Sequence, residues 1–177
     1  MTITEPQATT PGRRPHLFIR LARPDDVPAL RRIYAGAVRA LAPGHYSPAQ
    51  IAAWAGFAGT DEFPAFILGV DTFVAQLGGR VDGVPGAVPA GFCGIAADGH
   101  IASVYVAPGQ ARRGLGTALL EHALAAHPRP ASGRWYAEAS RLSLPLFLHR
   151  GFDEVGTERS ERAGVAFERH LVERRSS

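Results

Sequence analysis

The stretch Ile101 to Leu120, IASVYVAPGQARRGLGTALL, constrains the fold of this chain more than any other. Ile101 to Val106 is a β-branched and aromatic run, the composition of a strand. Pro108 and Gly109 stop it. From Gly114 onward, Leu115, Ala118, Leu119, Ala123 and Ala126 recur at the three- and four-residue spacing of a helix. Between strand and helix lie Gln110, Arg112, Arg113, Gly114 and Gly116. Such a turn presents unpaired backbone N–H groups at a helix N-terminus, and its glycines let a ligand approach the backbone. With two arginines beside it, the turn is a site for phosphates. The plainer alternative is an ordinary strand–turn–helix corner, which needs neither paired arginines nor Gly-x-Gly.

Known phosphate loops differ in what they require. A P-loop needs a lysine after its second glycine, and all 19 Lys and Arg residues of this chain are arginine. A dinucleotide fingerprint needs a third glycine where Leu119 stands. The remaining pattern, Val106-x-Pro108-x-x-Ala111-x-x-Gly114-x-Gly116, resembles the acetyl-CoA motif of the GCN5-related N-acetyltransferases (GNAT). It departs at Ala111, where Gln or Arg is usual; Gln110 and Arg112 are neighbours able to supply a side-chain contact. The resemblance implies a single α/β (α+β) domain with a mixed, mostly antiparallel sheet flanked by helices, and acetyl-CoA as co-substrate. It also implies that Val104, Tyr105 and Val106 hydrogen-bond the pantetheine and acetyl group through their backbone. The pyrophosphate falls to Ala111, Arg112, Arg113, Gly114, Leu115, Gly116 and Thr117.

A length of 177 residues is enough for one domain with a sizeable core, and 46% hydrophobic with 20% charged residues is a soluble globular composition. The net charge of +3 and a pI near 9.6 suit an anionic ligand. Scattered arginines argue against nucleic acid as a partner. Cys93 is the single cysteine, so no internal disulfide is expected and a reducing, cytoplasmic location is. No apolar run is long enough for a membrane span, and the N-terminus lacks the apolar core of a signal peptide. Met1 to Pro15 is polar and without periodicity, and is expected to be a disordered arm before a domain over 16–177.

His16 to Ala22 alternates as a strand. Pro24-Asp25-Asp26 then starts a helix with the stripe Val27, Leu30, Tyr34, Ala37, Val38 and Leu41, ended by Pro43-Gly44. Ser47 and Pro48 begin a short helix through Trp54. The run Tyr46-Ser-Pro-x-Gln-x-x-x-Trp54 resembles a segment of the bacterial YafP-type branch of the same family, where this region lines the acceptor pocket; packing of both aromatic residues on the body is the alternative. Phe57 to Val70 holds a turn at Gly59 to Asp61 and some helix. Thr72 to Leu77 and Pro89 to Ala97 read as paired strands, with GGRVDGVPGAVP between them expected as a long mobile loop. Asp98-Gly99 is a tight turn. Arg134 to Ala139 reads as a strand, Ser143 to Arg150 as a helix capped by Gly151, and Asp153 to Arg159 with Val165 to Val172 as a hairpin closing the sheet. EASRLSLPLFLHRGF resembles the family's second CoA motif, with Leu142 in place of its frequent Asn and Phe147 in place of the tyrosine that protonates the thiolate.

The chemistry implied is acetyl transfer to a primary amine, with a small molecule favoured as acceptor; a non-catalytic acyl-CoA-binding sensor is the rival, and a homodimer stays open. Glu138 is a candidate base or water-orienting group, and Tyr46 a candidate proton donor. His45 and His100 are further candidate bases, against structural roles for all four. No His or Cys spacing indicates a metal, and Cys93, inside a strand, reads as an apolar filler.

Overall fold

In the computed structural model, which describes residues 16–81 and 84–175, side-chain alternation builds two antiparallel sheets. The arm expected over Met1 to Pro15 lies outside the described residues. The first sheet has the order β1-β2-β3-β4, from β1 (Leu17–Leu21), β2 (Asp71–Val81), β3 (Val84–Ile95) and β4 (Ile101–Val106). The second has the order β5-β7-β6, from β5 (Arg134–Ala139), β6 (Asp153–Arg162) and β7 (Val165–Arg175). The hairpin β6–β7 turns at Ala163 and Gly164, both at positive φ, as a two-residue turn requires. Among the described residues the only β-bridge between the sheets is a parallel one, His100 to Tyr136. The expected mixed sheet is therefore present but divided, and the final hairpin completes its second part.

The mobile loop expected over 78–89 is a correction. Here β2 and β3 stay paired through Gly78–Ala87, Gly79–Gly86, Arg80–Pro85 and Val81–Val84. The prolines misled because proline is excluded only where a ladder N–H is needed. Strand β4 ends opposite Gly91, so the outer edge of β3 over Val84 to Pro89 has no partner strand to serve. A bulge at Ala90 marks the change, and its carbonyl accepts from Ala107 N at 2.8 Å.

Helices cover both faces of the first sheet, which is why Phe73, Val74 and Ala75 are buried in succession rather than alternately. On one face lies α4 (Leu115–Ala126), against β2, β3 and β4. Leu119 and Leu120 are fully buried, each contributing about 1.5–3 kcal/mol of burial. On the other face lie α1 (Val27–Leu41), α2 (Pro48–Gly56) and α3 (Phe63–Leu68), around Leu30, Tyr34, Val38, Phe63 and Phe92. A 3-10 turn at Pro24–Asp26 leads into α1, and Arg20 pairs with Asp26 there at 2.7 Å. The expected cap of α2 forms reciprocally: Gln50 N donates to Ser47 Oγ at 3.2 Å and Ser47 N to Gln50 Oε1 at 3.0 Å. Helix α5 (Leu144–His149) ends at Gly151, φ +76°. Phe147 is 3% exposed and meets Phe152 edge-on at 5.1 Å, so it is a core residue. Cys93 is fully buried, and burial pushes its thiol up to about 12.

Candidate active site

Past the His100–Tyr136 bridge the strands β4 and β5 part, and a cavity of about 490 Å³ opens between them. A bulge in β4 helps, since Gly94 faces Ser103 and Ile95 faces Ile101, leaving Ala102 as the extra residue. Bulges bend the strand that carries them. Ser103 fills the gap in the ladder by accepting from Gly94 N at 2.9 Å through its hydroxyl. The predicted residues Val104, Tyr105 and Val106 all line the cavity.

At one end of the cavity stands the turn before α4. Gly114 has φ +83°, and Arg112 holds φ +59° without being glycine. That left-handed arginine costs about 1–3 kcal/mol, which a merely connecting corner gives no reason to carry. Among the described residues, the N–H groups of Arg112 through Thr117 donate to no protein acceptor; the first bond back to the turn is Ala118 N to Gly114 O at 3.0 Å. Unpaired N–H groups at the start of a helix form an anion site. Gly116 faces the cleft, because a Cβ on it would stand 3.5 Å from Val106, 3.7 Å from Leu146 and 3.9 Å from Val104. An alanine would fit there; a larger side chain would enter the cleft. Of the predicted loop residues, Ala111, Arg112, Gly114, Gly116 and Thr117 line the cavity, whereas Leu115 is buried beneath it. Arg113 turns back toward Gly109 O and Gln110 Oε1, at 3.5 and 3.4 Å.

The other wall is made by α1 and α2, with Val38, Leu41, His45 and Trp54. Trp54 Nε1 donates to the Tyr105 hydroxyl at 2.9 Å, and Arg162 donates to the Tyr34 hydroxyl at 2.9 Å. The Tyr34 and Tyr105 rings lie 4.3 Å apart, and burial raises both phenols, that of Tyr105 well above its ordinary value. Tyr46 is not a lining residue. It packs on Trp54 at 5.3 Å and on Phe167 at 6.3 Å, and its hydroxyl accepts from Arg141 N at 3.0 Å. It thereby ties the α1–α2 connection to the turn after β5.

Glu138 lines the cavity from β5. Its Oε2 lies 2.7 Å from His100 Nε2, and this hydrogen bond, ahead of every other cause, holds the carboxyl below its ordinary value. As the carboxylate accepts, Nε2 carries the hydrogen. His100 is fixed in turn: its ring stacks on Tyr136 at 5.0 Å, and its backbone N donates to Asp98 Oδ1 at 3.0 Å. The Tyr136 hydroxyl donates to Asp98 Oδ2 at 2.6 Å, which pushes that phenol up to about 12.

Two functional details carry little signal in the sequence. Ser140 and Ser143, both in the cavity wall, cap one another across the start of α5: Ser143 N donates to Ser140 Oγ at 3.1 Å and Ser140 N to Ser143 Oγ at 3.0 Å. Ser-x-x-Ser before an apolar run hints at this. Nothing local announces that Arg162 would reach Tyr34. Among the described residues no cluster of His, Cys, Asp or Glu is arranged for a metal, and no helix is long and apolar enough to cross a membrane.

The split sheet thus opens onto the amide-lined turn before α4. Residues 44–170 match the family model of the acetyltransferase (GNAT) domain, and the chain belongs to that family. A search of the curated proteins finds no match. Among solved structures, a GCN5-related N-acetyltransferase from Rhodopseudomonas palustris is similar at 24% identity and a TM-score of 0.78, over 95% of this chain and 99% of that one. The PaiA N-acetyltransferase of Thermoplasma acidophilum, in complex with coenzyme A, is similar at 16% identity and a TM-score of 0.66, over 90% and 99%. YncA of Salmonella typhimurium, with acetyl-CoA, follows at 20% identity and a TM-score of 0.58, over 92% and 95%.

Proposed function

We propose that this acetyltransferase takes its acyl group from acetyl-CoA and transfers it to the primary amine of a small molecule. The observation that carries the reading is the run of unpartnered N–H groups from Arg112 to Thr117, opening onto the cleft that Gly116 keeps clear. Acetyl-CoA supplies an activated thioester. The turn before α4 holds its pyrophosphate, and the free edge of β4 at Val104 to Val106 holds the pantetheine arm. Glu138, kept ionised and oriented by His100, draws the proton from the amine through Oε1. Tyr46, standing behind the cavity wall with its hydroxyl on Arg141 N, reaches the departing thiolate only through water. Within the family, Tyr46-Ser47-Pro48-x-Gln50-x-x-x-Trp54 favours the YafP-type branch, and the lone buried Cys93 suits the cytoplasm.

The test is calorimetric titration with acetyl-CoA beside NADH, followed by thiol release with amines. Binding of acetyl-CoA alone is expected; absence of binding sinks the reading. A second reading, a non-catalytic acyl-CoA sensor, draws on Phe147 and Leu142 standing where the family has Tyr and Asn. Tight acetyl-CoA binding with no thiol release from any amine selects it.

A further inference from the structure

The wall of the cleft facing the donor loop narrows the acceptor beyond "an amine". Its surface comes from Val38 and Leu41 of α1, His45 between α1 and α2, Trp54 of α2, Tyr105 of β4 and Leu142 after β5. Apart from the His45 imidazole, the polar atoms of its aromatic residues are engaged: Trp54 Nε1 with Tyr105, and Tyr34 with Arg162. These groups therefore offer an acceptor ring faces and hydrocarbon rather than hydrogen bonds.

Charge makes the same point by elimination. Glu138 is the one carboxylate lining the cavity among the described residues, and Arg112, in the donor loop, is the one guanidinium. Other arginines have partners, Arg141 with Glu168 at 3.1 Å, Arg162 with Tyr34 at 2.9 Å and Arg169 with Glu158, although the buried Arg169 Nε has none and its charge reaches Glu138. A free amino acid or a phosphorylated amine would bury an anion with only the His45 imidazole in that wall to meet it. A polyamine would bring several charges to a single carboxylate. An amino sugar would bury hydroxyls against Leu41 and Trp54. A monoamine on an apolar body leaves nothing unpaired, its ammonium meeting Glu138 and its body the wall.

Resting on the acetyltransferase reading above, we infer that the acceptor is a monoamine carried on an uncharged aromatic or aliphatic body, with Leu41 and Trp54 as its specificity residues. The test compares kcat/KM for phenylethylamine, hexylamine, L-lysine, spermidine and glucosamine at saturating acetyl-CoA, with acetyl-CoA affinity measured on the same protein. The two apolar amines are expected to exceed the other three by at least about tenfold, the discrimination an apolar pocket gives. Leu41→Arg, half-buried near the C-terminal end of α1, supplies the missing cation and is expected to move the preference toward L-lysine. If it does not fold, the wild-type panel still decides. Equal or better turnover of L-lysine, spermidine or glucosamine overturns the inference, as does acetyl-CoA binding without turnover of either apolar amine. Loss of acetyl-CoA binding itself overturns the underlying reading, and this inference with it.

Discussion

At one end of the cleft the candidate binding groups are backbone amides of a single segment, Arg112 to Thr117, whereas the opposite wall is assembled from α1, α2, β4 and the turn after β5. The two constructions tolerate change differently. Amide groups survive most substitutions that keep the backbone path, so the turn depends on space and φ more than on side-chain identity. The acceptor wall has no such protection, since each of its residues acts through its own side chain. On the reading proposed above, donor recognition is thereby held fixed while acceptor choice is free to vary, one residue at a time.

Substitutions at both ends put this contrast at risk. Gly116→Glu places bulk and negative charge in the cleft beside the unpartnered amides, and acetyl-CoA affinity by calorimetry is expected to fall by more than about 100-fold, or roughly 3 kcal/mol. Unchanged affinity in a folded variant would remove the turn from the site. Phe147→Ala removes a core ring and is expected to cost about 3–5 kcal/mol of stability in denaturant unfolding. Its pH–rate profile should match wild type, because a phenyl ring moves no proton. Glu138→Gln keeps the shape and removes the base; kcat is expected to drop about 100-fold with acetyl-CoA affinity unchanged. In the wild type, His100 lowers the folded-state carboxyl of Glu138. Stability from that pair is thus complete above the ordinary glutamate value of about 4.3 and lost as pH falls through the folded value. An acid limb of the rate lying well above about 4.3 would exclude Glu138 as its source. Arg112→Ala should weaken acetyl-CoA binding only about threefold, since a partly screened surface charge contributes about 1 kcal/mol or less. A hundredfold loss there would mean that side chains, not amides, hold the pyrophosphate.

The same contrast explains what could be read in advance. The donor turn was legible because one continuous segment holds its strand, its Gly-x-Gly and its helix, and the end of β5 and the cap at Gly151 were legible for the same local reason. Of the acceptor wall only the stretch around Trp54 was legible, because contacts such as Trp54 to Tyr105 or Arg162 to Tyr34 join residues far apart in the chain. Tyr46 shows the limit well. Its sequence neighbourhood marks it as important, yet its hydroxyl meets Arg141 N, so it fastens two segments and stands behind the cavity wall. The 78–89 stretch failed for another reason: glycine and proline usually break strands, and only the absence of an outer partner beside Val84 to Pro89 lets β3 carry them.

The single bridge between the sheets also bears on how the molecule assembles. Among the described residues no strand crosses from one sheet to the other, so residues 17–126 and 134–175 are consecutive, unequal parts of the chain that dock along the β4–β5 seam and where α2 meets β7. Leu119 from the first part and Trp135, Phe147 and Val172 from the second share one apolar core beneath that seam. A ligand lying in the cleft, held by residues 104–117 and touching Leu146 and Phe147 across it, contacts both parts at once and acts as a clasp. Mass action then ties docking to ligand supply, by about 2.7 kcal/mol at a hundred times the dissociation constant. A backbone nick in the 128–132 connection would leave every strand pairing intact, and the two fragments would recombine more readily the more donor is present.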